Sequence, residues 1–181
     1  MNQVESIPEK IYSDDELLRY KDTEISPIRT KAEIDGVFAE YGIQDVAWRW
    51  NKDGIERYEP CEIFVFFTIE EMIEGHLVRV NAHVDAPIIW DRAKPKGRPP
   101  TPERVNWRVS MRAMYHFIYT HLNSAHAMRT AKVIAFLPYV QNAQHQQIKD
   151  QILPRLKEYQ ALENKTAPRI IEGQYRTEES R

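Results

Sequence analysis

The chain has 181 residues, 42% hydrophobic and 29% charged, with a formal net charge of −2. That size and balance suit one soluble domain with a real core, and they exclude a protein that coats nucleic acid with its whole surface. A local basic patch stays open, because at physiological salt exposed charges act over only about 8 Å. The single cysteine, Cys61, excludes an internal disulfide and any paired-cysteine zinc motif. The longest greasy run, IFVFFTI, is strand-sized, far short of the ~18 residues of a membrane helix. The opening MNQVESIPEK is polar and has no apolar signal-peptide core, so a cytoplasmic location and no membrane partner are expected.

Residues 1–24 carry seven acids and three bases and read as an acidic N-terminal extension. Within it SDDELLRYK suggests a short helix, with Ser13 as N-cap and Glu16 closing a capping box. A solvated extension is expected, and folding back onto the basic loop described below is the alternative.

A single domain over residues 25–160 follows. ISPIRTKAEIDGVFAEYGI predicts a helix: Thr30 and Glu33 form a capping box, Ile34, Val37, Phe38 and Tyr41 share one face, and Gly42 stands at the C-cap. Three strands are expected at residues 46–51, 61–68 and 76–84, with NKDG as a turn. EEMIEG, between the last two, reads as longer than a tight hairpin, a turn of helix. The third strand alternates, with Val78, Val80, Ala82 and Val84 on one face and Leu77, Arg79, Asn81 and His83 on the other. The second strand is apolar on both faces and should be central, with Phe64 and Phe66 as core.

A basic, proline-rich loop spans residues 90–101. Thr101, Pro102 and Glu103 read as the cap and first turn of a long helix to about Asn123, whose core stripe is Trp107, Met111, Met114, Ile118 and Leu122, with Ala113 and Phe117 beside it. Residues 131–136 fit either a strand or a helix end. Asn142 caps a last helix through Tyr159 that must accommodate Pro154, and residues 161–181 read as a mobile tail. The expected fold class is α+β: a small antiparallel sheet of three or four strands packed with an N-terminal helix, one long central helix and a C-terminal helix.

The charge is unevenly placed. Residues 90–112, WDRAKPKGRPPTPERVNWRVSMR, hold seven Lys or Arg against two acids, about +5, so the remainder carries about −7. Arg104, Arg108, Arg112 and His116 recur every four residues, a ridge along a helix whose like charges repel. Such a ridge is neutralised by acids elsewhere in the fold or by an anionic partner. Arg92, Lys94, Lys96 and Arg98 add an extended cationic arm suited to phosphates. Trp48, Trp50, Phe64 and Phe66, with Arg49 and Arg79 nearby, could stack unpaired bases on an open sheet face, the alternative favoured for Phe64 and Phe66 being core.

Enzyme signals are sparse. His83 and Asp85 share a strand face, but no third metal ligand can be named, and no metal or other cofactor is expected. Glu62, Glu74 and Asp85 keep a metal-dependent nuclease open. Phosphate-loop, dinucleotide, nucleophile-elbow and HExxH motifs are absent. Cys61 reads as a buried thiol.

ISPIRTKAEIDGVFAEYGI followed by VAWRWNKDG, then KPKGRPP, NWRVS and VIAFLPYVQNAQH, resembles in order an uncharacterised phage and prophage family over residues 25–157. That family has a "TKAEI…YG" helix, an aromatic strand, a basic Pro/Gly loop and a long helix with a Trp-Arg pair, carried here by Trp107 and Arg108. This chain lacks the family's "DGRT" turn after Leu137-Pro138. No established activity comes with the resemblance. It implies a viral protein in the host cytoplasm, an accessory of DNA metabolism or a binder of another protein.

The expected function is a non-catalytic nucleic-acid-binding accessory favouring single-stranded DNA. Arg92, Lys94, Lys96 and Arg98 serve as the arm, Arg104, Arg108 and Arg112 as the ridge, and Trp48, Trp50, Arg49 and Arg79 as the sheet contacts. The alternative is a module that binds a protein partner with an acidic surface, and the second alternative is the nuclease. An exposed edge strand would permit a homodimer.

Overall fold

The computed structural model describes residues 10–18, 20–93, 102–142, 144, 146–152 and 154. The chain is α+β, as its patterning predicts, but its strands divide between two small sheets. One has the order β2-β3-β4, built from β2 (Gln44–Arg49), β3 (Phe64–Ile73) and β4 (His76–Asp85), all antiparallel. The other has the order β1-β5-β6, from β1 (Ile11–Tyr12), β5 (Ile89–Asp91) and β6 (Arg104–Val105). In this second sheet β1 runs parallel to β5 and β6 antiparallel to it.

Helix α1 (Pro27–Glu40) begins one turn earlier than the Thr30 box predicts. Ser26 is its N-cap, accepting from the Arg29 amide, and Pro27 occupies the first turn, where its missing N–H costs nothing. Thr30 is instead fully buried inside the helix. Gly42, at φ 68°, ends the helix in the left-handed region, where a Cβ would be strained. NKDG is not a simple turn. Asn51 caps the short helix α2 (Lys52–Arg57), its side chain accepting from the Gly54 amide.

The EEMIEG segment is extended. β3 and β4 run unbroken to a two-residue turn at Glu74 and Gly75, both with positive φ (50° and 82°), the backbone a tight hairpin needs. The closing pair Ile73↔His76 then sets the whole register, including Val65↔Val84 and Phe66↔His83.

Helix α3 (Trp107–Ala127) is capped by Asn106, which accepts from the Val109 amide; the proposed cap Thr101 lies outside the described residues. Trp107, Met111, Met114, Ile118 and Leu122 are buried as their spacing predicts. They meet Ile34, Val37 and Phe38 of α1 and the inner face of the large sheet, Val65, Phe67, Ile69, Ala82 and Val84. Phe67 is central, its ring 4.8 Å from that of Phe38 and 5.3 Å from that of Phe136. Residues 131–136 resolve as helix α4 (Lys132–Ala135), which places Phe136 under the sheet. The described part of the last helix is residues 148–152 and 154; Asn142 does not cap it but accepts from the Gln144 and Gln146 amides in a preceding turn, and the tail at 161–181 lies outside the described residues. No helix among the described residues is long and apolar enough to cross a membrane.

The N-terminal segment departs from its expectation. Instead of a helix starting at Ser13 in a separate extension, Ile11 and Tyr12 pair with Ile89 and Trp90 and the chain continues through turns. The reason is tertiary. Asp91 and Glu103, the two acids flanking the basic loop, take Ser13, Lys10 and Tyr12 as hydrogen-bond partners.

Candidate nucleic-acid interface

The helices cover one face of the large sheet. On the other, the hairpin register lines up Phe64, Phe66, Thr68, Glu70 and Met72 of β3 beside Asp85, His83, Asn81, Arg79 and Leu77 of β4. β2 contributes Ala47 opposite Phe66 and Arg49 opposite Phe64. Phe66 keeps 36% of its surface exposed. Its ring meets Phe64 edge-on at 4.9 Å and His83 at 5.4 Å, while the small Ala47 leaves its other flank low. The Arg49 guanidinium lies 5.9 Å from the Phe64 ring. The expectation that Phe64 and Phe66 are core is therefore overturned: Phe66 is exposed, Phe64 is half-buried, and neither joins the buried cluster, although the same face is covered further along at Thr68 and at His83, where Gln147 packs.

The tryptophans go the other way. In the register Trp48 stands opposite Val65, on the helix-covered side. Its Nε1 donates to Asp35 of α1 at 2.7 Å, and the Lys31 ammonium lies 5.0 Å from its ring centre. Trp50 meets Trp48 edge-on at 6.1 Å. Both are half-buried side chains packed on the core, not stacking surfaces on the open face.

The register could have found the aromatic pair. Once EG is read as a two-residue turn, Phe64 and Phe66 fall on the polar face of β4, already evident from Arg79, Asn81 and His83. Assigning a helical turn to EEMIEG hid that relationship.

The arginines are largely neutralised from within. Arg79 bridges Asp45 at 2.8 Å and Glu70 at 3.2 Å, and Arg49 faces Glu62 at 3.4 Å. Arg92 holds Asp14 at 3.0 Å and stacks on Tyr12. The ridge is broken at both ends. Arg104 is not helical but in β6, 3.6 Å from Asp91, with its guanidinium 4.7 Å from the ring of Tyr58. Arg112 is mostly buried and pairs with Glu33, whose carboxyl is held below its ordinary value chiefly by that hydrogen bond. His116 is covered by Tyr20. Arg108 is exposed and has no ion pair with a described residue. It lines a cleft of about 360 Å³ with Arg104, Tyr58, Asp91 and Asn106. Lys94, Lys96 and Arg98 lie outside the described residues.

The carboxylates weighed for a nuclease are dispersed. Asp85 ends β4 beside Phe64, and Glu62 precedes β3. Glu74 sits at the hairpin turn, ten strand residues away, about 30 Å at strand rise. His83 faces Asp85 at 3.4 Å, but both its ring nitrogens are engaged, Nδ1 with Gln141 at 2.7 Å and Nε2 with Gln147 at 2.8 Å. No group of three or more His, Cys, Asp or Glu converges on a common point among the described residues. Cys61 is half-buried in the loop before β3, where burial raises its thiol above the ordinary value and makes the nucleophilic thiolate scarcer.

No protein-family model, no curated protein and no solved structure matches the chain.

Proposed function

We propose that the protein is a non-catalytic nucleic-acid-binding accessory, of the phage type its motif order resembles, and that it favours single strands. The observation that carries this reading is the edge-to-face Phe64–Phe66 pair on the outer face of the central strand, where Phe66 is 36% exposed beside Ala47 and Arg49. Unpaired bases stack on such rings whatever their sequence, whereas a duplex keeps its base faces hidden. Phosphates then fall to Arg49, 5.9 Å from the Phe64 ring, to Arg104 and Arg108 of the cleft beside Tyr58, and to Arg92, with Lys94, Lys96 and Arg98, outside the described residues, completing the proposed set. Contacts of this kind position a strand without reading its sequence.

A protein partner is the second reading. It is favoured by Met72 and Leu77, 62% and 66% exposed at the far end of the same face, and by the arginines' existing acid partners.

Fluorescence anisotropy with labelled single-stranded DNA, duplex DNA and RNA at three salt concentrations separates the two. Nucleic-acid binding should prefer single strands and weaken with salt at a slope of about −0.7 per neutralised phosphate. Binding that is absent at low salt would end the nucleic-acid reading and leave the protein partner.

A further inference from the structure

Residues 10–14 form a strap over a small surface made by β5 and the residue after it. The Lys10 ammonium lies 4.4 Å from the centre of the Trp90 ring, and the Ser13 amide donates to the Trp90 carbonyl at 2.8 Å. Arg92 is met from two sides. The Tyr12 ring lies 3.9 Å from its guanidinium carbon, and the Asp14 carboxylate accepts from its Nε at 3.0 and 3.2 Å. An aromatic face and an anion are the two groups that a nucleotide offers a protein.

Resting on the nucleic-acid reading above, we infer that Trp90 and Arg92 form a one-nucleotide subsite for single-stranded nucleic acid and that the strap is its built-in competitor. With the strap lifted, a base stacks on Trp90 where Lys10 now lies, and a phosphate takes Arg92 from Asp14.

The strap is lightly held. Its strand is two residues long, and its apolar anchorage is partial, with Ile11 37% exposed and Tyr12 half-buried. The Lys10–Glu103 and Arg92–Asp14 pairs face solvent, where ion pairs contribute little and fade with salt. Among the described residues, lifting it also strands no buried charge. Asp91 loses Ser13 but keeps the Asn106 amide at 2.9 Å and Arg104, while Glu103 passes to water. The phosphate therefore does not meet an unpartnered Asp91.

The test is anisotropy with a labelled oligo-dT on the full chain. Its variants are Tyr12→Ala/Asp14→Asn, the same pair with Arg92→Gln, Phe66→Ala, and Asp22→Asn as a control for the change in net charge. If the strap covers the subsite nine-tenths of the time, freeing it tightens binding about tenfold. Arg92→Gln should cancel that gain, and Asp22→Asn should not reproduce it. On the unaltered protein, oligo-dT should also speed hydrogen exchange at the Ser13 amide. If the parent binds through Phe66 but the strap variant is no tighter than the control and Ser13 exchange is unmoved, the competitor is refuted and the function stands. If no variant binds at low salt, both fall.

Discussion

His116 lies flat against Tyr20, with ring centres 3.6 Å apart and planes within 3°. The contact ties the N-terminal segment to the middle of α3, and it desolvates the imidazole. That desolvation, aided by the Arg112 charge and opposed by Glu33, holds the His116 pKa below its ordinary value of 6.5. The folded state thus binds a proton at His116 less readily than the unfolded chain. Its contribution to stability is complete above about pH 6.5 and drains away as pH falls from there through the lowered value. Urea midpoints at pH 7.5, 6.5 and 5.5 should decline, and His116→Phe, which keeps a ring on Tyr20, should flatten that decline. Glu33, also lowered in pKa, gives up its share only further down, in the carboxylate range. Parallel slopes for the two proteins between pH 7.5 and 5.5 would rule out His116 as the titrating group.

Arg108 and Arg112 are one helical turn apart but have different tasks. Arg108→Ala should weaken single-strand binding and reduce the salt slope by about 0.7, with the unfolding midpoint unmoved. Arg112→Ala should destabilise the fold by about 1–3 kcal/mol through the loss of a charged hydrogen bond to Glu33, with oligonucleotide affinity nearly constant. Equal effects of both on affinity would restore the continuous ridge.

Phe66 and Phe67 are neighbours in β3 that face opposite worlds. Phe67 is 1% exposed, and Phe67→Ala should cost about 3–5 kcal/mol of stability, the usual range for emptying a core aromatic site. Phe66→Ala should cost far less in thermal unfolding but remove about 1–3 kcal/mol of stacking from single-strand affinity. A large stability loss at Phe66 would mean that its face is covered in solution.

The hairpin turn offers a gain. Glu74 holds φ 50° without the special tolerance of asparagine or glycine. Glu74→Asn gives the Asn-Gly pair that such turns prefer and should raise stability by about 0.5–1 kcal/mol. Gly75→Ala, at φ 82°, should lower it. Chemical denaturation of the two variants checks both signs.

The long helices were legible because their burial has a clear period. The stripe from Trp107 to Leu122 and the triplet Ile34, Val37, Phe38 are where their spacing puts them. β4 was legible for the same reason. What failed was punctuation. Ser26 with Pro27 and Asn106 are caps outcompeted on paper by Thr30 and Thr101, since capping depends on where tertiary packing starts the helix. β1 carries almost no local signal. Two residues become a strand only because Trp90, Asp91 and Glu103 supply partners about ninety positions away in two cases. Ionic partners are equally invisible in sequence: Arg112 finds Glu33 across 79 positions, so the ridge looked free.

The rim of the large sheet has one more implication. The β4 side is partly sealed, because Val140 bridges Ala82 and the Gln141 amide donates to the Asn81 carbonyl. The β2 side is irregular: its register slips between Gln44 and Ala47, and Asp45 sits at φ 49°. A flat row of unpaired amides, the template on which identical chains add strand to strand, is thus interrupted on each flank of this sheet. Growth of a continuous ribbon through this sheet is disfavoured by both interruptions.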